Sequence, residues 1–415
     1  MPSASVSAEL VPADLQVGVL GYGALARVDA AGRVRTDGLA LEWWVGADDR
    51  WHVPAEETTT RGQRPFSAPI VETLVRVPSG DAVHRVYGAT TGGGAVTVVE
   101  IENRSPAPFT AALVVSIARR ASIELDGAEL RVGGEVVLTL PRAPGAWAAA
   151  QSTREIVMSG SARTGAFEPV RGPVELALLF PVSHRTTWRA ALGSAPVDVR
   201  ALPGADSVAR GWDLQLERGL QAALPPPIGE VVDAARADLL LAPPTPEVVA
   251  ALEDWGFDAE AADGWAHLGW AGRRRARKRI AIAQPWPAMV AVEARAEPAR
   301  FLTNLRAVLV RERSGVVDIV PGFPADWLGQ SITVDAVPVH SGAISFALRW
   351  HGPRPALLWE APAGVELRVP ALDPAWSSTE SGGEALLATP PTTLLSMGAG
   401  DRSAGTTVSA PGQFS

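Results

Sequence analysis

The stretch from Val317 to Glu360 reads VDIVPGFPADWLGQSITVDAVPVHSGAISFALRWHGPRPALLWE and decides the fold class of the C-terminal part of the chain. Its first part, Pro321–Trp327, contains two prolines and a glycine, which a helix does not continue through. From Ile344 to Trp350, large apolar residues alternate with small or polar ones, the period of a half-buried strand. The stretch therefore predicts a change from helices to a β-domain at a hinge over Pro321–Trp327.

Residues 1 to about 225 carry short apolar runs bounded by Gly, Pro, Asn or Asp, a pattern typical of strands. The longest run, Phe109–Ile117, predicts a central strand covered on both faces. Asp126-Gly127 predicts a hairpin turn, because this pair tolerates positive φ angles. Val197–Ala201 is predicted as a further strand. The pattern predicts one large sandwich that is β throughout.

The pattern changes after Pro225–Pro227, where helical spacing of apolar residues predicts about four helices. They are Gly229–Leu241, a helix opened by Thr245-Pro246-Glu247, a helix capped by Asp258 that runs into the basic run Arg273–Arg279, and Pro298–Arg313. The predicted fold class is mainly β with a short α segment. The predicted organisation is an N-terminal β-supersandwich (1–225), a short helical segment (226–316), a C-terminal β-sandwich (317–397) and a disordered tail (398–415).

Composition narrows the function classes. The chain has 415 residues, a formal net charge of -8 and no cysteine. The negative charge argues against a nucleic-acid partner, and the lack of cysteine excludes disulfides and thiol catalysis. The N-terminus has no signal-peptide pattern, and no apolar run approaches the roughly 18 residues of a membrane span. We expect a cytoplasmic protein with no membrane partner and no cofactor.

Three stretches resemble parts of bacterial glycoside hydrolases of the six-hairpin (α/α)6-barrel superfamily, the glucoamylase-, glycosyl-phosphorylase- and α-L-rhamnosidase-like enzymes. Val99–Phe109 is similar to a strand–turn–strand of their N-terminal supersandwich. Leu302–Trp327 is similar to the last barrel helix and the entry to their C-terminal domain, and Gly342–Trp350 to a strand of that domain. The resemblance implies a large β-sandwich, a helical barrel that carries the catalytic acid and base, and a smaller β-sandwich.

The helical part of this chain is too short for such a barrel. Gly229 to Arg313 covers about 85 residues, whereas twelve helices of roughly 11–12 residues need about 140 before loops. We therefore expect the two β-domains of the family joined by a shortened helical remnant, without the family's hydrolysis.

The segment Glu42–His52 (EWWVGADDRWH) is rich in residue types that bind sugars. Aromatic faces stack on sugar C–H surfaces, and Asp, Arg and His form hydrogen bonds with hydroxyl groups. Adjacent Trp43 and Trp44 point to opposite faces of a strand, so at most one faces a given cleft, and either can instead be a core residue. Loops on rigid sandwiches often carry sites. The predicted binding residues here are Trp44, Asp48, Arg50, Trp51 and His52.

Hydrolysis of a glycosidic bond needs two carboxyl groups on either side of it. The candidates are Asp254 and Glu260, which lie near Trp255. The alternative is structural: Glu260 interacts with a helix N-terminus and Asp254 lies on a solvated face.

Further candidates for substrate binding are Trp286 in the break formed by Pro285 and Pro287, and His351 and Glu360 at strand ends. The six histidines follow no metal-binding spacing, so no metal site is expected. The basic run Arg273–Arg279 is a helix end or solvated loop, or else contacts an anionic partner.

The sequence thus leaves three hypotheses open. The first is a glycoside-hydrolase-like protein with a truncated barrel that binds an oligosaccharide or serves as a scaffold without hydrolysis. The second is an active glycosidase with a carboxylate pair where the helical segment meets a β-sandwich, or across a dimer. The third is a structural scaffold for a protein partner or for a homo-oligomer.

Overall fold

The structure, a computed structural model, describes residues 14–60, 62–276 and 297–391, and within them the side chains of all residues except 270–276. Strands account for 43% and helices for 20% of this part of the chain, so the predicted mainly β class is confirmed. The chain forms two compact units. One comprises the residues up to Leu214 with Leu240–Pro243, and the other comprises Gln215–Leu239 with the residues from Pro244 onward. The predicted boundaries at 225, 316 and 397 stay a prediction.

The first unit contains strands β1 to β17. In chain order they are Leu15–Val19, Gly23–Val28, Val34–Thr36, Leu39–Gly46, Trp51–His52, Gly62–Gln63, Val71–Val77, Gly80–Thr91, Gly94–Asn103, Phe109–Ile117, Ser122–Asp126, Glu129–Val132, Glu135–Thr139, Ala146–Ala150, Val170–Arg171, Val174–Val182 and Thr187–Leu192. Among the described residues they form two sheets, which we call sheet A and sheet B. Sheet A has the order β1-β2-β3-β4-β10-β16-β14, with β5 paired to β4, and sheet B has the order β15-β11-β12-β13-β17-β9-β8-β7-β6.

The main core of this unit lies between sheets A and B. Trp43 on β4, Ile101 on β9 and Leu113 on β10 are almost fully buried in one cluster. The neighbours of Leu113 on β10, Ala112 and Val114, belong to a smaller cluster on the outer face of sheet A. Because side chains alternate along a strand, β10 is covered on both faces. The prediction of a central strand at Phe109–Ile117 is confirmed.

The hairpin between β11 and β12 is also confirmed, with a shift of one residue. Asp126 pairs with Glu129, so the two-residue loop is Gly127-Ala128. Gly127 has φ 57°, a value that glycine adopts without the steric cost of a side chain. Glycine thus serves the turn at the first loop position.

The helices α1 to α6 are Arg154–Met158, Ala205–Leu216, Gly229–Leu241, Pro246–Asp254, Asp258–Ala276 and Pro298–Leu309. The helix start predicted at Thr245 is confirmed, because the Thr245 side chain accepts a hydrogen bond from the Val248 N–H at 3.3 Å. Helix α5 runs into the basic run, but its backbone leaves helical geometry at Gly269, where φ is 64°. No helix in the described ranges combines the length and apolar character of a membrane span.

The second unit contains strands β18 to β26, which are Gln221–Ala223, Val310–Arg313, Val316–Ile319, Ile332–Val339, Gly342–His351, Arg354–Glu360, Glu366–Val369, Asp373–Ser378 and Gly382–Leu386. One sheet has the order β18-β21-β22-β23-β26 and the other the order β19-β20-β24-β25. Trp359 on β23 meets Trp376 on β25 edge to face, with ring centroids 5.2 Å apart. This contact joins the two sheets.

Three predicted elements are wrong. The region 1–225 is not β throughout, since α1 and α2 lie within it. The predicted strand Val197–Ala201 is a turn, in which the Asp198 side chain accepts a hydrogen bond from the Arg200 N–H at 3.0 Å. The helix predicted over Pro298–Arg313 ends at Leu309, because Val310–Arg313 pairs with β20 as an antiparallel strand.

Candidate functional site

The residues predicted around Trp51 come together at the end of the hairpin between β4 and β5. The chain turns after Gly46, where the Ala47 N–H donates to the Arg50 carbonyl at 3.0 Å, and Trp51 then pairs with Gly46. The turn leaves Asp48, Asp49 and Arg50 exposed. We call the surrounding group the loop cluster, and it consists of Asp48, Asp49, Arg50, Trp51, His52, Glu56, Glu57 and Arg154.

His52 is the anchor of the loop cluster. Its side chain is 3% exposed, and its Nδ1 lies 3.0 Å from Glu57 Oε1 while its Nε2 lies 3.1 Å from Asp49 Oδ1. Carboxylates accept hydrogen bonds, so only the doubly protonated ring donates to both at once. The ring thus ties the exposed turn to the segment that follows β5.

Two arginines hold the acidic side chains of the loop cluster. Arg50 donates to both oxygens of Glu57, at 2.6 and 3.1 Å. Arg154, at the start of α1, donates to both oxygens of Glu56, at 2.5 and 2.6 Å. Such paired bonds fix geometry as well as charge. Glu56 and Arg154 are far apart in sequence, so their bond joins α1 to the loop.

The ion pairs keep the carboxyl groups ionised. The hydrogen bond from Arg50 lowers the pKa of Glu57, and that from Arg154 lowers the pKa of Glu56. Slight desolvation acts to raise the pKa of the exposed Asp49, but the hydrogen bond and charge of His52 outweigh it, and the pKa is lowered. The loop cluster therefore presents fixed hydrogen-bond acceptors near neutral pH.

Trp51 supplies the aromatic surface of the loop cluster. Its indole lies over Gly46, where an added Cβ would sit 2.9 Å from the ring. It packs partly against the small cluster on the outer face of sheet A and stays half-buried. Glycine at position 46 makes this close approach possible, and part of the ring remains open to solvent.

Trp44, which was also predicted for binding, is a core residue. Trp44 is 4% exposed and lies in the small cluster on the outer face of sheet A. Its Nε1 donates to Glu42 Oε2 at 3.4 Å. Its neighbour Trp43 is 1% exposed in the main core. Since the helix and loop that cover sheet A also cover Trp44, its indole has no free face for a sugar.

The predicted catalytic carboxyl groups, Asp254 and Glu260, lie in the second unit and have different partners. Asp254 is 3.8 Å from the Arg306 Nε, whereas Glu260 accepts from Gln215 at 2.8 Å and from Arg218 at 3.3 Å. Burial raises the pKa of Asp254, as does the charge of Glu253, while Arg306 opposes both. Their catalytic role stays a prediction.

His351 and Glu360 are exposed on the hairpin of β22 and β23. His351 pairs with Arg354 beside the turn, and Glu360 pairs with Ser345 at the other end. Six strand positions separate the two pairs, or about 20 Å, so the fold does not bring His351 and Glu360 together. Trp286 lies outside the described residues, as do the last residues of the basic run and the tail 398–415.

Sequence reasoning missed four members of the loop cluster: Asp49, Glu56, Glu57 and Arg154. A carboxylate three residues before His52 and another five residues after it were a usable signal, because a short hairpin keeps them within reach of the ring. Arg154 gave no such signal, since only the tertiary fold brings α1 to this loop. Within the described ranges, no group of three or more His, Asp or Glu side chains could hold a metal ion.

No protein-family model matches this chain, and no curated protein matches it. Among solved structures, it is similar to a bacterial glucoamylase complexed with acarbose, with 7% sequence identity and a TM-score of 0.42. The similarity covers 62% of this chain and 49% of the glucoamylase, so the chain spans about half the length of that enzyme. Membership of the six-hairpin glycoside hydrolase superfamily stays a prediction.

Proposed function

We propose that this chain is a carbohydrate-binding protein whose loop cluster takes an oligosaccharide without hydrolysing it. The observation that carries the proposal is the placement of half-exposed Trp51 beside the exposed turn Asp48–Arg50. An aromatic ring beside planar polar groups suits a sugar, which has C–H faces and hydroxyl edges. His52 holds Asp49, and Arg154 holds Glu56, in place before a ligand arrives, which reduces the entropy lost on binding.

The electrostatics of the loop cluster argue for binding over catalysis. A glycosidase needs a carboxylic acid that is protonated near neutral pH, and hence one with a raised pKa. The pKa values of Asp49, Glu56 and Glu57 are all lowered. Both nitrogens of His52 face carboxylates within the loop cluster, so neither nitrogen is open to a substrate.

A panel of oligosaccharides tests the proposal. A ligand that binds the folded state raises its stability by mass action, about 2.7 kcal/mol at a hundred times its dissociation constant. We expect at least one glycan at millimolar concentration to raise the melting temperature, with no release of reducing ends over a long incubation. The lack of any shift across the panel would overturn carbohydrate binding and favour a scaffold for protein partners.

One observation favours a second candidate, an active glycosidase that uses Asp254. Burial raises the pKa of this carboxyl group, as a general acid requires. If the panel shows release of reducing ends, the Asp254→Asn variant is expected to abolish it, whereas Asp326→Asn, which changes an exposed carboxylate of the same unit, is expected to leave it intact. Activity retained in Asp254→Asn would remove this candidate.

A further inference from the structure

A cleft of about 480 Å³ opens between sheets A and B at one end of the first unit. Strands of sheet A reach it at Leu25, Leu39 and Ile117, and strands of sheet B reach it at Val132, Val137 and Leu192. All of these positions lie within one compact unit. The volume lies within the range of about 300–1,000 Å³ that is usual for sites of small molecules.

The base of this inter-sheet cleft is aliphatic, and Thr36, Thr97 and Ser194 add hydroxyl groups to its lining. Ile117, Val132 and Leu192 are buried at its base and belong to the main core, and Leu39 and Val137 are half-buried and pack against that core. No aromatic side chain is among the described lining residues. The cleft therefore lacks the flat ring on which a sugar stacks, and it suits a flexible hydrocarbon chain.

The rim of the inter-sheet cleft carries three charged side chains, Asp37, Arg119 and Glu135. Arg119 is already engaged, since it donates to the Val132 carbonyl at 3.2 Å and lies 3.8 Å from Glu135. Asp37 is exposed, and the described part of the chain places no cation against it. One negative charge at the rim is therefore left uncompensated, which favours a cationic group on a ligand.

We propose that the inter-sheet cleft binds an amphiphile with an aliphatic body and an ammonium head. The body replaces water over the aliphatic base, and the ammonium group lies at the rim beside Asp37. The proposal is independent of carbohydrate binding at the loop cluster, because the two sites share no residue.

Three probes with the same ten-carbon chain test the proposal on the full chain below their micelle concentrations: decyltrimethylammonium, decanoate and 1-decanol. Calorimetric titration is expected to show saturable binding of the ammonium probe at micromolar to millimolar concentration. Decanoate is expected to bind at least tenfold more weakly, because its carboxylate faces Asp37 and Glu135. The absence of ammonium binding, or equal affinity for decanoate, would overturn the proposal.

Substitutions in the cleft test separately how the hydrocarbon body and the ammonium head of the ligand contribute to binding. Val137→Trp fills the cleft and is expected to abolish binding of both the ammonium probe and decanol, and Ala95→Trp serves the same purpose if the first variant does not fold. Asp37→Asn is expected to weaken binding of the ammonium probe about fivefold and to leave the binding of decanol unchanged. Asp335→Asn, at an exposed position of the second unit, is the matched control. Unchanged affinity in the tryptophan variants that fold would place the ligand elsewhere and refute the site.

Discussion

His84 lies in the core between the two sheets of the first unit and is fully buried. Its ring is stacked on Trp43, with centroids 4.8 Å apart and planes 8° apart. Within the described residues, neither ring nitrogen has a hydrogen-bond partner. Burial without a compensating partner disfavours the charged imidazolium and lowers the pKa of His84 to about 3. The folded chain therefore holds a neutral histidine where the unfolded chain would titrate near pH 6.5.

This difference makes the free energy of unfolding depend on pH. Below pH 6.5 the His84 imidazole binds a proton in the unfolded state, whereas in the folded state it stays neutral down to about pH 3. The free energy of unfolding therefore falls as pH falls. Between pH 7 and pH 5 the loss from this group is about 2 kcal/mol. We predict that His84→Phe, which keeps a ring on Trp43, removes this part of the pH dependence in urea denaturation. His184→Phe, at an exposed position, should leave it unchanged, and parallel pH profiles for wild type and His84→Phe would contradict the account.

Gly32 lies against the same stack. A Cβ at this position would sit 2.8 Å from Trp43 Nε1 and Thr73 Oγ1 and 3.0 Å from His84 Nδ1, and the backbone φ is 80°. Gly21 has nearly the same φ, 79°, with nothing within 4 Å of its Cβ position. In both alanine variants a residue with a Cβ has to adopt a left-handed backbone conformation, which costs about 1–2 kcal/mol. Only Gly32→Ala also overpacks the core.

We therefore predict that Gly32→Ala lowers the free energy of unfolding by about 2 kcal/mol more than Gly21→Ala. Urea denaturation of the two variants measures the difference directly. Equal decreases in the free energy of unfolding would show that Trp43 and His84 can shift to accept an added methyl group at no cost, contrary to the structure.

At the scale of elements, a buried arginine on α3 organises the helical part of the second unit. Arg236 is 1% exposed and is packed over the rings of Trp255 and Phe257, 6.0 and 5.6 Å from their centroids. It donates to the Leu216 carbonyl at the end of α2 and to Asp233 at 2.7 Å. Burial lowers the pKa of Arg236, and Asp233 opposes this effect. One planar cation thus connects a helix end, its own helix and the aromatic residues beyond α4.

We predict that Arg236→Ala lowers the free energy of unfolding by about 3 kcal/mol, through lost packing on Trp255 and Phe257 and the loss of its hydrogen bonds to Leu216 and Asp233. Arg236→Lys should recover less than half of this loss, because an ammonium lacks the planar fork. Arg368→Lys, at an exposed ion pair of the same unit, should change stability by less than about 0.5 kcal/mol. Full rescue by lysine in thermal denaturation would show that only charge matters at position 236.

The elements that sequence predicted well are those whose pattern is local. A long apolar run identified β10, and Thr245-Pro246 marked the start of α4, because both signals lie within a few residues. Helix α2 was missed although Ala205, Ala209, Trp212 and Leu216 are buried at a helical spacing. The early end of α6 had no local signal: pairing of Val310–Arg313 with β20 overrides helix propensity there.

At the scale of the whole molecule, sequence predicted the mainly β class and the short α segment, and it identified the stretch around Trp51. It did not predict which tryptophan stays accessible, because burial of Trp44 depends on α1, a helix more than 100 residues later in the chain. The inter-sheet cleft was also beyond sequence reasoning. Its lining residues come from many strands that are distant in sequence. Local sequence patterns do not predict which strand ends lie next to one another.

The proposed sugar-binding surface is formed by Trp51 and the rest of the loop cluster. Its most direct test is calorimetric titration of the glycan that gives the largest thermal shift into wild type, Trp51→Ala and Trp376→Ala, the last a half-buried tryptophan of the second unit. We predict that Trp51→Ala weakens binding about tenfold or more, while Trp376→Ala binds as wild type does. Equal affinity of wild type and Trp51→Ala would contradict it.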